Sequence, residues 1–527
     1  MPNSKPNAEA DDSTGDASKE PASQTPDEAA KKAPKGIGKF LRFSLIYGLG
    51  DLVTKGARII LVPFYVAVMT QAEVGELAIL QAIIFCTWTI LGFGLGFAVH
   101  KYYYEYGENG NAMVSTLWLA RLIGGLPFYG LMMLAGYGFY SLGDESIALT
   151  LILLAITAGF LKGGLNVVEF WLNIREEPIK YRAFTFAQFF LTTLIIIYLV
   201  AFAKLGVLGV ILGELISYAV FVFVSAFLLF RKAMPDLKVV RWKEIFGYCS
   251  PVLPHAFFMW GLTGIDKLML EGHNVKREAI GIYAIGYLLG SFLSIVVRSM
   301  RAAWLPAYFK NAESADSHKE FGKIASLYLF LAFFTALCGM FFAAELIYVF
   351  SLTSKTSYAE SAKVMQFVLF GFVAMAMFLA INQPLFYARR TGTLSLISGF
   401  GLLVNVAVNL ILIPSMGIWG ACSASVTAYI AMALVTFVVT SRICNIKWEA
   451  GGMLLTTFLF IIFGGVASLF PAESNFWLIP PKIMLLLLFP LFTLFRIRFS
   501  SESSIKIESR FAWTARSKPK MLAKTSA

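Results

Sequence analysis

Residues 204–228, KLGVLGVILGELISYAVFVFVSAFL, are echoed by residues 415–439, SMGIWGACSASVTAYIAMALVTFVV. Gly206, Gly209 and Tyr218 fall on Gly417, Gly420 and Tyr429 at a constant offset of 211. A second echo pairs EVGELAIL (73–80) with AIGIYAIG (279–286) at an offset of 206. Each matched segment is a long apolar run, and the members of each pair are six spans apart in the count. An even step in span number puts both copies in the same orientation. The repeat therefore predicts two parallel six-helix lobes related by an axis along the membrane normal.

The composition agrees with a chain that lives in lipid. Apolar residues make up 58% and charged residues 14%, where soluble domains carry about 25% charge. Runs of roughly 20 apolar residues match the thickness of a hydrocarbon core. Fourteen spans are expected, at 43–69, 75–99, 113–140, 146–171, 181–203, 206–230, 245–270, 280–304, 324–350, 362–387, 394–414, 419–441, 452–471 and 480–497. The fold class is all-α integral membrane. Spans 1–6 (residues 40–242) and 7–12 (243–442) form two lobes around a central cavity, and two extra helices follow (443–499). Residues 1–39 read as a disordered tail rich in Ala, Asp, Glu, Ser, Lys and Pro. Residues 500–527 read as a basic tail.

The net charge of +12 does not point to nucleic acid, because Lys and Arg gather in alternate loops. One set of loops holds Lys101, Arg175, Lys180, Arg182, Arg231, Lys232, Lys238, Arg241, Lys243, Lys310, Lys319, Lys323, Arg389, Arg390, Arg442 and Lys447. The opposite set holds Lys204, Lys276, Arg277, Lys355, Lys363 and Lys482. The richer set is expected on the cytoplasmic side, with both termini. The five cysteines form no CxxC pair and read as small buried hydrophobes. The four histidines have no metal-ligand spacing, so no metal and no cofactor is expected. The loops are too short for an extramembrane catalytic domain, and the chain is not read as an enzyme.

Charge at bilayer depth costs at least a few kcal/mol per group and normally marks a cavity or a partner. Asp51, Lys55 and Arg58 stand at i, i+4 and i+7, on one helix face. One carboxylate cannot neutralise two cations. Arg121 and Lys162 lie within spans 3 and 4, and Arg298 and Arg301 at i, i+3 on span 8. Each lines a cavity or snorkels to the interface. Glu169 is a local partner for Lys162 or Arg175. The cationic excess predicts an anionic cargo. Asp266 on span 7, Glu214 on span 6 and Asp51 are candidate coupling carboxyls, with a hydrogen-bonded structural carboxyl as the competing reading. Asp266 and Lys267 lie toward the charge-poor end, where either can reach water. The adjacent Lys267 points about 100° away and cannot pair with Asp266 along one face. Asn382, Gln383, Asn405 and Asn409 read as interhelical hydrogen-bonding groups, and Gly92, Gly94, Gly96, Gly286 and Gly290 as close-packing or hinge positions. Pro251 and Pro254 are expected to bend span 7.

The opening FSLIYGLGDLVTKGARIILVPFYVAVMTQAEVGELAIL (43–80) resembles the first helix pair of bacterial polysaccharide flippases of the multidrug/oligosaccharidyl-lipid/polysaccharide exporter superfamily. HKYYYEY (100–106), IDKLML (265–270), AIGIYAIGY (279–287) and the paired GVLG and GIWG turns are similar to that family's segments in order and spacing. The two extra helices look more like the fourteen-helix lipid II flippases. The resemblance implies movement of a polyprenyl-pyrophosphate-linked oligosaccharide from the cytoplasmic to the periplasmic leaflet, by alternating access, for O-antigen or exopolysaccharide synthesis. It also implies an inner-membrane location. Membrane lipid, a polysaccharide polymerase and chain-length machinery are the further partners to be expected. Lys55, Arg58, Arg121, Lys162, Arg298 and Arg301 are the candidates to bind the pyrophosphate, since Arg offers a bidentate fork and Lys a point charge. A cation-coupled multidrug exporter would instead need an acidic, aromatic cavity. A glycan polymerase or ligase would need a large outward loop.

Overall fold

The computed structural model describes residues 61–142, 147–175, 177–311, 317–354, 356–387, 390–443 and 450–497, all within the unit 47–527. The secondary structure of the described residues is helical. In the first half run α1 (Val62–Val68), α2 (Gln71–Leu91), α3 (Leu95–Tyr102), α4 (Gly110–Gly124), α5 (Leu126–Leu142), α6 (Leu149–Ile174), α7 (Pro178–Ile197) and α8 (Gly206–Phe230). In the second run α9 (Trp242–Cys249), α10 (Val252–Gly272), α11 (Arg277–Gly290), α12 (Phe292–Asn311), α13 (Ser317–Phe341), α14 (Ala343–Ser351), α15 (Glu360–Ile381), α16 (Gln383–Tyr387), α17 (Thr391–Met416) and α18 (Ile418–Ile443). The appended pair is α19 (Ala450–Leu469) and α20 (Ile479–Ile497).

Every expected span from the second onward falls on helix; the first is described only from Leu61. Among the described residues 10 helices are long and apolar enough to cross a membrane, or up to 12 if each bent pair is one span. The bent pairs are α4–α5 (40°) and α13–α14 (58°). α10 is 21 residues long but is not among these, and it carries His255, Asp266 and Lys267.

Several spans are interrupted for visible reasons. Between α2 and α3, Phe93 (φ 50°) and Gly94 (φ 68°) enter the left-handed region, where glycine alone is unstrained. The Leu95 amide then bonds to the Gly92 carbonyl, and the Leu91 carbonyl loses its helical donor. Near the start of span 7, α9 ends at Cys249 and α10 starts at Val252, so the break falls at Ser250–Pro251. Pro254 then sits in the first turn of α10, where a missing N–H costs nothing.

The repeated turns have a common cause. Gly206 (φ 52°) and Gly417 (φ 55°) both adopt positive φ at the turn into a helix. Three residues on, Gly209 lies tightly against Leu199, and Gly420 lies against the backbone of Leu412 with no room for a Cβ. The two connections fold back tightly in the same way. The packing repeats too. α2 on α6, α6 on α8 and α7 on α8 in the first half correspond to α11 on α15, α15 on α18 and α17 on α18 in the second.

Among the described residues α15 is the most enclosed span, with 83% of its apolar stretch buried, against 28% and 22% for those of α19 and α20. The appended pair lies on α13 and α15. Phe330 stacks on Phe489 at 5.8 Å and Phe333 meets Phe460 at 5.0 Å. Lys482, 1% exposed, bonds to Glu345 at 2.7 Å; a cation this deep requires such a partner. Lys363 and Gln366 on α15 donate to the carbonyls of Ser468, Phe470 and Ala467 at the end of α19, and the Ala467 carbonyl also accepts from the Phe470 amide at 3.3 Å.

Candidate functional site: interlobe contacts and buried charges

The two halves meet at the charge-poor end, where α2 crosses α11. Gly75 lies against the carbonyl of Arg277, and Gly281 against the carbonyl of Gln71. At the offset of 206, Gly75 corresponds to Gly281 (75 + 206) and Gln71 to Arg277 (71 + 206). The contact is reciprocal, as in a two-fold interface, so the crossing sits on the pseudo-symmetry axis. Around it, Arg277 bridges Glu271 (3.1 Å) and Glu76 (3.9 Å). The Gln71 amide donates to the Ser357 carbonyl at 2.6 Å. Deeper in, the Trp260 indole N–H on α10 donates to the Ala82 carbonyl on α2 at 3.3 Å. At the opposite end Lys101 lies 4.4 Å from the Tyr248 ring centre. A 3.1 Å bond to the Tyr102 hydroxyl holds the Lys101 ammonium pKa above its ordinary value.

Asp266 is the hub of the second half. It is fully buried. Its carboxyl accepts from Tyr283 on α11 (3.0 Å), Asn409 on α17 (2.9 Å) and Ser425 on α18 (2.8 Å). Asn409 also donates to Asn405 at 3.0 Å. One carboxyl thus ties α10 to three neighbours. Lys267 points elsewhere, as the helical spacing required: its ammonium lies 4.5 Å from the Tyr287 ring centre and donates to the Thr263 carbonyl at 3.3 Å.

Glu214 on α8, 7% exposed, accepts from Gln81 on α2 at 2.9 Å. The offset of 211 maps Glu214 onto Ser425 (214 + 211), so equivalent positions carry an acidic acceptor in one half and a hydroxyl donor in the other. Lys162 pairs with Glu169 at 3.5 Å and faces the Tyr218 ring at 5.2 Å. Arg175 pairs instead with Glu177 at 2.8 Å.

Arg121 departs from the expected cavity-lining cation. It is 1% exposed, wedged between α4 and the small-residue face of α6 at Gly163 and Gly164. Its Nε donates at 3.1 Å to the Leu91 carbonyl, the group released by the α2–α3 break. Its guanidinium lies 4.6 Å from the Phe160 ring centre. The break in span 2 creates an orphan acceptor, and Arg121 satisfies it. Its two terminal guanidinium nitrogens are buried without a hydrogen-bond partner among the described residues.

Arg298 is exposed on α12 and bonds back to Ser294 through its carbonyl (3.0 Å) and hydroxyl (2.6 Å). Arg301 is half-buried on the same helix. Asp51, Lys55 and Arg58 lie outside the described residues, so their place relative to Arg298 is untested. The glycine crossing and the partners of Asp266 were not singled out from sequence. The echo at 73–80 and 279–286 did carry Gly75 and Gly281, and that reciprocity was the available signal. Among the described residues no group of three His, Cys, Asp or Glu could hold a metal ion.

These features define a polytopic membrane protein with the helical arrangement of known transporters. The lipid II flippase MurJ in an inward closed conformation is similar with TM-score 0.65 and 14% identity, covering 87% of this chain and 99% of that one. An inward-facing multidrug resistance MATE family transporter of the MOP superfamily gives 0.58 and 14%, covering 76% and 94%. Likeness at this identity speaks for the fold alone. The chain itself belongs to the family described as polysaccharide biosynthesis protein, which matches residues 40–312. An uncharacterized membrane protein of Haemophilus influenzae is 23% identical over 285 residues, 52% of this chain and 67% of that protein. A second relative from that organism is 23% identical over 291 residues, 66% of its length.

Proposed function

We propose that the chain flips polyprenyl-pyrophosphate-linked oligosaccharide units from the cytoplasmic to the periplasmic leaflet of the inner membrane, for O-antigen or exopolysaccharide synthesis. The observation that carries this reading is the family match over residues 40–312. The transporter fold and the interlobe contacts at one end support alternating access between two lobes, divided near residue 242. Lys55, Arg58, Arg298 and Arg301 are the groups assigned to the pyrophosphate, with Lys162 flanking. Asp266 and Glu214 are the candidate coupling carboxyls. A dense anion leaving water needs charge-assisted donors to offset its lost hydration. A polymerase and chain-length proteins would act on the delivered unit.

Arg58→Ala and Arg298→Ala should each reduce translocation about tenfold or more, the effect of losing a charge-assisted hydrogen bond of about 1.5–3 kcal/mol. Lys at either position should retain part of the activity. The measurement is accumulation of the lipid-linked unit on the cytoplasmic leaflet at matched protein level. Normal translocation in both Ala variants would remove the assigned site.

Topology gives an independent test. Reporter fusions at both termini should read as cytoplasmic, as the loop charges require. A periplasmic C-terminus would overturn the orientation.

A further inference from the structure

Where α15, α18 and α19 meet, a crevice of about 380 Å³ is lined by Lys363, Gln366, Phe367, Phe370, Trp419 and Ser468. It lies beside the appended helix pair, on a different face of α15 from the α11 contact. Its members are ordered along the membrane normal. Lys363 is in the first turn of α15, Trp419 in the first turn of α18 and Ser468 in the last turn of α19. Phe367 and Phe370 lie one and two turns farther into the bilayer. Gln366 stands at the depth of Phe367, so polar groups reach one turn below Lys363 and Phe370 lies beneath them, the order of a lipid headgroup above its chains.

Two of its polar groups have unmet capacity. Gln366 is 3% exposed. Its amide nitrogen donates to the carbonyls of Met340 (2.9 Å) and Ala467 (3.1 Å). Those two acceptors fix which way the amide points. Its Oε1 is left buried with no hydrogen-bond partner, an arrangement that asks for a donor from a ligand. Lys363 gives its ammonium to the carbonyls of Ser468 and Phe470 and has no carboxylate partner among the described residues. The nearby cation Lys482 is already paired with Glu345. Phe367, 37% exposed, stands edge-on to Trp419 with ring centres 6.4 Å apart and leaves the crevice open to the lipid side.

We propose that this crevice holds the headgroup of an anionic, hydroxyl-bearing phospholipid of the glycerol-phosphate type from the facing leaflet. The phosphate sits at Lys363, a glycerol hydroxyl donates to Gln366 Oε1, and an acyl chain runs along Phe367 and Phe370. The same lipid fastens α19 to α15 by occupying their seam. The site is separate from the groups assigned to the transported substrate and does not depend on that assignment.

Native mass spectrometry of the full-length protein, taken from mixed phosphatidylglycerol–phosphatidylethanolamine vesicles, tests it. The wild type should retain phosphatidylglycerol about tenfold in preference to phosphatidylethanolamine, the scale of one charge-assisted contact. Lys363→Met should abolish the preference and Lys363→Arg should keep it. Lys363 also holds α19, so Ser468→Glu is the control variant. Its site is exposed, and a carboxylate there should repel the phosphate without unseating the helix. Equal retention of both lipids by the wild type, or an undiminished preference in Ser468→Glu, would overturn the proposal. So would displacement of the bound lipid by a polyprenyl phosphate at equal concentration, which would assign the crevice to the cargo.

Discussion

Gly281→Leu should stop translocation while leaving the protein in the membrane. Even a Cβ at Gly281 would collide with the Gln71 carbonyl, and its counterpart at Gly75 with the Arg277 carbonyl. Both obstacles are backbone, so no rotamer change relieves them. Leu would force α2 and α11 toward the ordinary 8–10 Å separation of side-chain-packed helices. The charge-poor end could then no longer close. Activity should fall at least about tenfold, equivalent to about 1.4 kcal/mol against the closed state. The structural readout is a bridge between Gln71→Cys and Ser357→Cys made with a short, reducible bifunctional thiol reagent in a cysteine-free background, since the Gln71 side chain reaches the Ser357 carbonyl at 2.6 Å. The cross-link should form readily beside Gly281 and poorly beside Gly281→Leu. It should also arrest translocation until reduced. Full activity in the cross-linked protein would show that this end need not open, and the alternating-access reading would fall.

Asp266→Ala should cost the protein about 2–5 kcal/mol of stability. The substitution strands the Tyr283 hydroxyl, the Asn409 amide and the Ser425 hydroxyl, each worth about 0.6–1.7 kcal/mol between helices in a membrane. Thermal denaturation of detergent-purified protein measures the loss. Asp266→Asn separates structure from coupling. An amide retains one acceptor oxygen but not the proton equilibrium. If Asp266 serves only as a hub, Asp266→Asn should lose transport no more than it loses folded protein. If it couples, the folded variant should transport without dependence on the proton gradient. Wild-type stability in Asp266→Ala would mean that the hydrogen bonds across α10, α11, α17 and α18 do not hold the second half together.

The helical class, the span positions and the internal repeat were legible in the sequence because they rest on local quantities. A run of about 20 apolar residues must span, whatever surrounds it. The turn glycines at 206 and 417 could be read because their backbone geometry is set within a few residues. The separation of Asp266 from Lys267 followed from helical periodicity. Partners were a different matter. Arg121 looked like a cavity cation because its sequence neighbours are apolar. Its acceptor, the Leu91 carbonyl, exists only because span 2 breaks 30 residues earlier in the chain. The place of Asp266 near a helix end left both water and a hydrogen-bonded site open, and three donors from helices up to 159 residues away enclose it. Charge type and depth are encoded locally and identify which groups need a partner. Which partner each finds depends on the rotation and crossing of helices distant in sequence, and only the tertiary packing decides that.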